Sequence, residues 1–228
     1  MMETHATESL EQEAVRVSLH GSLSEKVRLI VTSVRILGRD PNRTEQIFRF
    51  GLVVNLRRFR KMHRRLQEHE EGAWLVANRP PLDSSTVDFE ALRALPAGTL
   101  GAEYVGFLDD NGLDADFFHA PPDLPEHLTF VLQRLRQTHD VYHALTGYGT
   151  DRHGELEVQA FTWAQIRAPA SLLILIGGML SELPGSLRML PRLWRAYRRG
   201  RRATWLFPLR WEQRWGVPLS QLQAELNL

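Results

Sequence analysis

Residues 139–155 read HDVYHALTGYGTDRHGE, and this stretch decides most of what the chain can be. Upstream of it, Leu128, Leu132 and Leu135 recur at helical spacing and continue onto the side that carries His139 and Tyr142. The run therefore belongs to an amphipathic helix. At 3.6 residues per turn His139 and His143 stand one above the other, with Asp140 beside them on the same flank. The segment TGYGTDRHG stops that helix and turns the chain. Glu155 then opens a second helix that returns to the same point, so the stretch predicts a helical hairpin with two imidazoles and two carboxylates at its closed end.

Four such groups can close around one divalent cation, and His139, Asp140, His143 and Glu155 are the candidate ligands and reactive residues. The plainer alternative is two satisfied core histidines and a helix-start carboxylate favoured by the macrodipole. Against it, two histidines and an aspartate in one turn of a core-facing helix would bury polar groups without partners, which is costly. Borderline imidazole mixed with hard carboxylate oxygen suits Zn, Fe, Mn or Mg. Four protein ligands fill a tetrahedral zinc, whereas a larger coordination number leaves a position open for a substrate. His153 and Glu157 flank Glu155 and are candidates for a proton relay. Tyr142 and Tyr148 could meet an aromatic ring, and Arg134 and Arg136 an anion. No glycine-rich fingerprint follows a strand, so no flavin or nicotinamide site is expected.

Outward from the hairpin the pattern stays helical. Ser24 is placed to cap a helix through Val27, Ile30, Val31, Val34 and Leu37 that Gly38 stops. A longer one runs from Thr44 through Phe48, Leu52, Phe59, Met62 and Leu66 to about Gly72. Turn signals crowd residues 74–125, including Pro121-Pro122, with a short helix over Val87 to Leu95 between them. Asp123 is placed to cap the histidine helix, and the helix from Glu155 runs to about Arg167 before Ala168-Pro169. Ala170 to Leu180, ASLLILIGGML, is far below the ~18–20 apolar residues that span a bilayer and reads as a buried core helix. Wall of an apolar ligand site and membrane-dipping segment are its other readings. With no sustained strand alternation and no repeat, the fold class is all-α: a flexible segment over 1–22, then a single helical domain over 23–228 with the metal site between two helices.

Composition narrows the function. Lys+Arg and Asp+Glu nearly cancel, at 28 and 27 in 228 residues, and 43% of the chain is hydrophobic. The balance and the missing base-reading motif argue against nucleic acid. Cysteine is absent, which excludes disulfides, thiolate metal sites and cysteine nucleophiles. The polar, acidic opening METHATESLEQEA is not a secretory or transit signal, so a cytoplasmic bacterial protein is expected. Arginine is concentrated locally, at Arg192, Arg195, Arg199 and Arg202 on one stripe among Leu193, Trp194 and Tyr197, and at Arg57 to Arg65. Such clusters are either solvated helix faces or seats on an anionic membrane surface.

The chain resembles the coenzyme Q (ubiquinone) biosynthesis protein four family. His139-Asp140-x-x-His143-x11-Glu155 matches that family's hallmark. Arg79-Pro80, then Leu95-Pro96-x-Gly98-Thr99-Leu100-Gly101-x-x-Tyr104, is similar to its middle segment. Arg210-Trp211-Glu212 and Pro218-Leu219-x-x-Leu222 are similar to its C-terminal one. The proline-rich run before the motif and the basic Arg198 to Arg202 depart from the pattern and mark a divergent bacterial relative. The resemblance implies a divalent metal, with zinc foremost, a prenylated aromatic lipid or quinone precursor as ligand, and a peripheral place on the inner face of a bacterial membrane. It further implies a homodimer working beside other quinone-biosynthesis proteins. The role it implies is either oxidative decarboxylation with hydroxylation at ring C1 of a prenylated hydroxybenzoate, or a non-catalytic prenyl-lipid scaffold that organises the pathway's complex. A His-Asp phosphohydrolase also places that pair on a helix, but it needs a further upstream His and a downstream Asp.

Overall fold

The structure, a computed structural model, describes residues 2–40, 43, 45–121, 123–181 and 185–228, with side chains from residue 10 onward. Among these residues there is no strand, only an isolated antiparallel bridge between Thr99 and Pro218. The α-helices are α1 (Met2–His20), α2 (Leu23–Arg39), α3 (Glu45–Gln67), α4 (Glu70–Asn78), α5 (Phe89–Arg93), α6 (Leu100–Asn111), α7 (Glu126–Thr146), α8 (Arg152–Ile166), α9 (Pro169–Leu180), α10 (Leu190–Arg202) and α11 (Leu219–Glu225). The all-α single domain expected from the periodicities is the fold the chain adopts.

α3 is the hub, because its apolar residues spread around the cylinder rather than along one stripe. Phe50, Leu52, Leu56, Phe59, Met62 and Leu66 are all buried, against α1, α2, α4, α7 and α9. Each such side chain contributes roughly 1.5–3 kcal/mol of transfer free energy. The hairpin helix α7 crosses two cores. Leu128, Phe130, Val131 and Leu132 join the α3 core, while Val141, Tyr142 and Leu145 join a second one with α6, α8 and the C-terminal segment. Rooted in both, α7 is a rigid base for the two histidines it carries.

Several local expectations differ from the structure. Residues 2–20 form α1 rather than a loose tail, and Ala14, Val15 and Val17 lie in the α3 core. Their sparse stripe is hidden among acidic residues, one of which, Glu13, pairs with buried Arg49. Ser22, not Ser24, caps α2, in a capping box with Glu25. Gly38 does not end it; α2 stops at Arg39, where Asp40 turns extended ahead of Pro41 in the sequence. Thr44, the expected start of the third helix, lies outside the described residues, as does Pro122. That helix breaks after Gln67, and Gly72 sits inside α4, where a Cβ would approach Leu66 Cα to 3.0 Å. α7 begins at Glu126 behind Pro125, with no cap from Asp123. α9 is not buried all round: Leu172, Leu173, Ile176 and Leu180 are exposed. α3, α8 and the 3-10 turn at Gly185–Met189 pack against it, and Asn55 Oδ1 accepts its Ala170 N–H at 3.0 Å.

Candidate metal centre

The hairpin closes because of three residues in its turn. Gly147 ends α7 in the left-handed region at φ 74°, a conformation glycine takes without cost. Asp151 caps α8, its side chain accepting the Gly154 N–H at 3.1 Å. Gly154 packs on the Gly149 backbone so closely that a Cβ there would lie 2.6 Å from Gly149 N. That contact brings the next residue, Glu155, back over α7.

Three of the four expected ligands meet. His143 Nε2 lies 3.2 Å from His139 Nε2 and 3.4 Å from Glu155 Oε1. His139 Nε2 lies 3.5 Å from Glu155 Oε2. Ligand atoms about 2.0–2.2 Å from a zinc in a tetrahedral shell are about 3.3–3.6 Å apart, so the two imidazoles stand near coordination spacing from each other and each from one oxygen of the Glu155 carboxylate. His143 Nδ1 is 2.8 Å from the Tyr148 carbonyl oxygen. A carbonyl only accepts, so Nδ1 holds the proton and a neutral His143 presents its Nε2 lone pair to the triangle. The His143 side chain is 1% exposed, His139 20% and Glu155 43%, so the centre is backed by protein and open on the Glu155 side. The donor set, its size and its tautomer fit a divalent cation.

The electrostatics agree. Burial alone would raise the Glu155 carboxyl, but His139 and His143, when protonated, hydrogen-bond to it and hold it down at about 2. Burial works against a proton on His143, yet Glu155, the Tyr148 carbonyl and Asp140 outweigh it and raise that pKa. Asp140 stays outside the triangle: the three converging residues are His139, His143 and Glu155. One residue past His139 it sits 100° around the helix, whereas His143 returns to within about 40°. Burial raises its carboxyl, with His139, His143 and Arg136 pulling the other way.

The neighbouring candidates sort out by distance. Glu157 is bound by Arg192 at 2.6 and 3.1 Å, and His153 lies 3.9 Å from Asp151. The Tyr142 ring is buried against Phe161, 5.9 Å away, on the core side of α7. Tyr148 serves through its backbone carbonyl. Arg134 is buried in an ion pair with Glu212 at 2.5 Å, while Arg136 remains near Asp140 and 5.3 Å from the Phe118 ring. The sequence reading missed Phe107, whose ring stacks on His143 at 5.1 Å and 15°. No motif marks it; only the packing of α6 on α7 puts it there.

Residues 16–228 match the family described as "Coenzyme Q (ubiquinone) biosynthesis protein Coq4". The "Ubiquinone biosynthesis protein COQ4 homolog, mitochondrial" of Bos taurus is 33% identical over 212 residues, covering 91% of this chain and 79% of that protein. The Homo sapiens protein of the same description is 33% identical over 194 residues, covering 83% and 72%. A crystal structure of "a Putative ubiquinone biosynthesis protein" from Nostoc punctiforme superposes with a TM-score of 0.72 at 25% identity, over 88% of this chain and 95% of that one. On the family match and these relatives, the chain belongs to the coenzyme Q (ubiquinone) biosynthesis protein Coq4 family, which is involved in ubiquinone biosynthesis.

Proposed function

We propose that the chain is a metal-dependent enzyme acting on the ring of a prenylated aromatic precursor of ubiquinone, and that His139, His143 and Glu155, with Asp140 as the fourth donor, hold its cation. The observation that carries this reading is the triangle of two Nε2 atoms and a carboxylate with 3.2–3.5 Å edges. A cation bound there, zinc foremost, supplies Lewis-acid polarisation of a ring carboxylate or phenolate. Phe107 walls the site over His143, and Arg136 provides positive charge for an anionic ring substituent. The reaction we assign is loss of the ring carboxylate as carbon dioxide with a hydroxyl left at that carbon. The hydroxyl oxygen comes from water, a proton is released, and the two electrons pass to an external acceptor such as dioxygen.

A place for the prenyl chain supports the same reading. An apolar groove of about 440 Å³ lies between α8, α9 and α10, lined by Trp163, Leu175, Met179, Leu193, Trp194 and Tyr197 among others. Trp163 is eight residues beyond Glu155 on α8, about 12 Å at 1.5 Å per residue, so ring and chain of one lipid have separate seats. At the groove and around it, Leu187, Leu190 and Trp194 are exposed together with Arg188, Arg195, Arg198, Arg201 and Arg202. This mixture suits an anionic membrane surface. No helix among the described residues is long and apolar enough to cross a membrane.

The test is genetic and chemical. A host deprived of the protein should lose its prenyl quinone and accumulate a ring-carboxylated precursor, and the wild-type chain should reverse both. Glu155→Gln should not. If Glu155→Gln folds, changes its metal content and still sustains normal quinone levels, the chain is a prenyl-lipid scaffold rather than the enzyme.

A further inference from the structure

The basic helix α10 packs on α8 and reaches the turn of the metal hairpin through Arg199. Arg195, Arg198, Arg201 and Arg202 are exposed, whereas Arg199 is half-buried. Gly200 makes this approach feasible, since a Cβ there would come within 2.7 Å of Phe161 O and 2.9 Å of Ala164 Cβ. With no side chain in the way, α10 rides directly on α8 and carries Arg199 to the end of α7. There its Nη1 donates to Thr146 O at 2.7 Å, one of the carbonyls that a helix C-terminus leaves without an internal partner. The guanidinium also lies 5.6 Å over the Tyr148 ring. Thr146 and Tyr148 flank Gly147, the residue at which the helix ends in the left-handed region. Arg199 therefore grips the turn on both sides of Gly147, and that turn presents the Tyr148 carbonyl to His143 Nδ1 at 2.8 Å.

We propose that Arg199 is a positioning residue of the metal centre, which, by pinning Thr146 and Tyr148, keeps the Tyr148 carbonyl on His143 Nδ1 and so aims the Nε2 lone pair at His139 and Glu155. The proposal rests on the metal reading above for its consequence, but the tautomer it sets is a property of the metal-free chain. In a neutral imidazole the hydrogen bond the ring makes sets the proton's place, and here Nδ1 has the Tyr148 carbonyl at 2.8 Å whereas Nε2 has Glu155 only at 3.4 Å. Released from the carbonyl, His143 divides its proton between Nδ1 and Nε2, and an Nε2–H cannot bind a cation. Loss of such an outer partner weakens metal affinity by about 10–100-fold.

The experiment uses the full-length chain with ¹⁵N-labelled histidine, as wild type and as Arg199→Met, Arg199→Lys and Arg195→Met. Imidazole nitrogen spectra of the metal-free proteins, recorded at a pH where His143 is neutral, report its tautomer; Co(II) titration reports affinity. Wild type and Arg195→Met should show His143 protonated on Nδ1 and equal Co(II) affinity. Arg199→Met should show mixed tautomers and an affinity about 10–100-fold lower, with Arg199→Lys between them because an ammonium cannot hold both sides of the turn. A folded Arg199→Met with the wild-type tautomer and affinity overturns the proposal. So does a wild-type His143 protonated on Nε2, whether or not any variant folds. If wild type binds no Co(II), the metal reading fails, and the tautomer comparison still decides the role of Arg199.

Discussion

Gly154→Ala should open the metal hairpin, and the structure sets the size of the effect. A Cβ at 154 would stand 2.6 Å from Gly149 N and 2.7 Å from its carbonyl carbon, with the carbonyl oxygen nearer still. Reaching 3.0 Å from the nitrogen alone requires 3.0 less 2.6, a shift of 0.4 Å, and the oxygen requires more. The obstacle is backbone on both sides, so no side chain can swing away. Glu155 is covalently next to the displaced residue, and metal sites tolerate ligand errors of only about 0.2 Å. Overpacking of this kind costs about 1–3 kcal/mol, or roughly 2–12 °C of Tm in a chain of this size. Metal affinity should fall by more than the 10–100-fold typical of losing an outer partner. Gly177→Ala is the control: nothing lies within 4 Å of that Cβ, and replacing an exposed helical glycine should gain about 0.8–1 kcal/mol. Thermal denaturation with metal titration of both variants checks this. Gly154→Ala with wild-type Tm and affinity would refute the claim that this close approach places Glu155.

Three further outcomes are expected. Glu212→Ala leaves Arg134, 1% exposed, without its ion partner, and should cost about 3–5 kcal/mol in urea unfolding; adding Arg134→Met should recover most of it, and a loss under about 1 kcal/mol would contradict a buried pair. Metal affinity should be full above the raised pKa of His143 and fall about tenfold per pH unit below it, as a proton competes for the ring; calorimetry showing no change from about pH 8 to pH 5 would contradict this. In the metal-free protein the sign reverses: the His143 contribution to stability is full below 6.5 and fades as pH rises through the raised value, while that of Glu155 is present above 4.5 and is lost as pH falls toward about 2. Binding to anionic vesicles should weaken steeply with salt, at about 1 kcal/mol per basic residue engaged, and drop in Trp194→Ala; equal pelleting with neutral vesicles would rule out the electrostatic mechanism.

What could be read from the sequence followed the range of the forces involved. The hairpin was legible because helical spacing, a glycine turn and a returning carboxylate are all local. Asp140 stands apart from the other three because adjacency in sequence means a 100° step on a helix. α9 looked like core because composition reports apolarity and not coverage; how its neighbours are placed leaves Leu172 and Ile176 in the open. α1 was missed because three small apolar residues in an acidic run become a core element only when α3 receives them. The landmark segments around residues 95–104 and 210–222 were readable as pattern, and the structure supplies their cause. Val217 and Trp215 carbonyls accept the first N–H groups of α6, from Leu100 at 2.9 Å and Gly101 at 2.8 Å. Trp215 stacks on Tyr104 at 5.3 Å, and Glu212 ties the same segment to Arg134 of α7. The two landmarks are halves of one clasp that holds α6, and with it Phe107, against the histidine helix.

The central claim is that His139, His143 and Glu155 close around one divalent cation. Elemental analysis of the purified chain, beside His143→Ala at matched folding, tests it most directly. One divalent ion per wild-type chain, lost in the variant, is the result predicted. Wild-type protein without metal, or His143→Ala retaining its full complement, would contradict it.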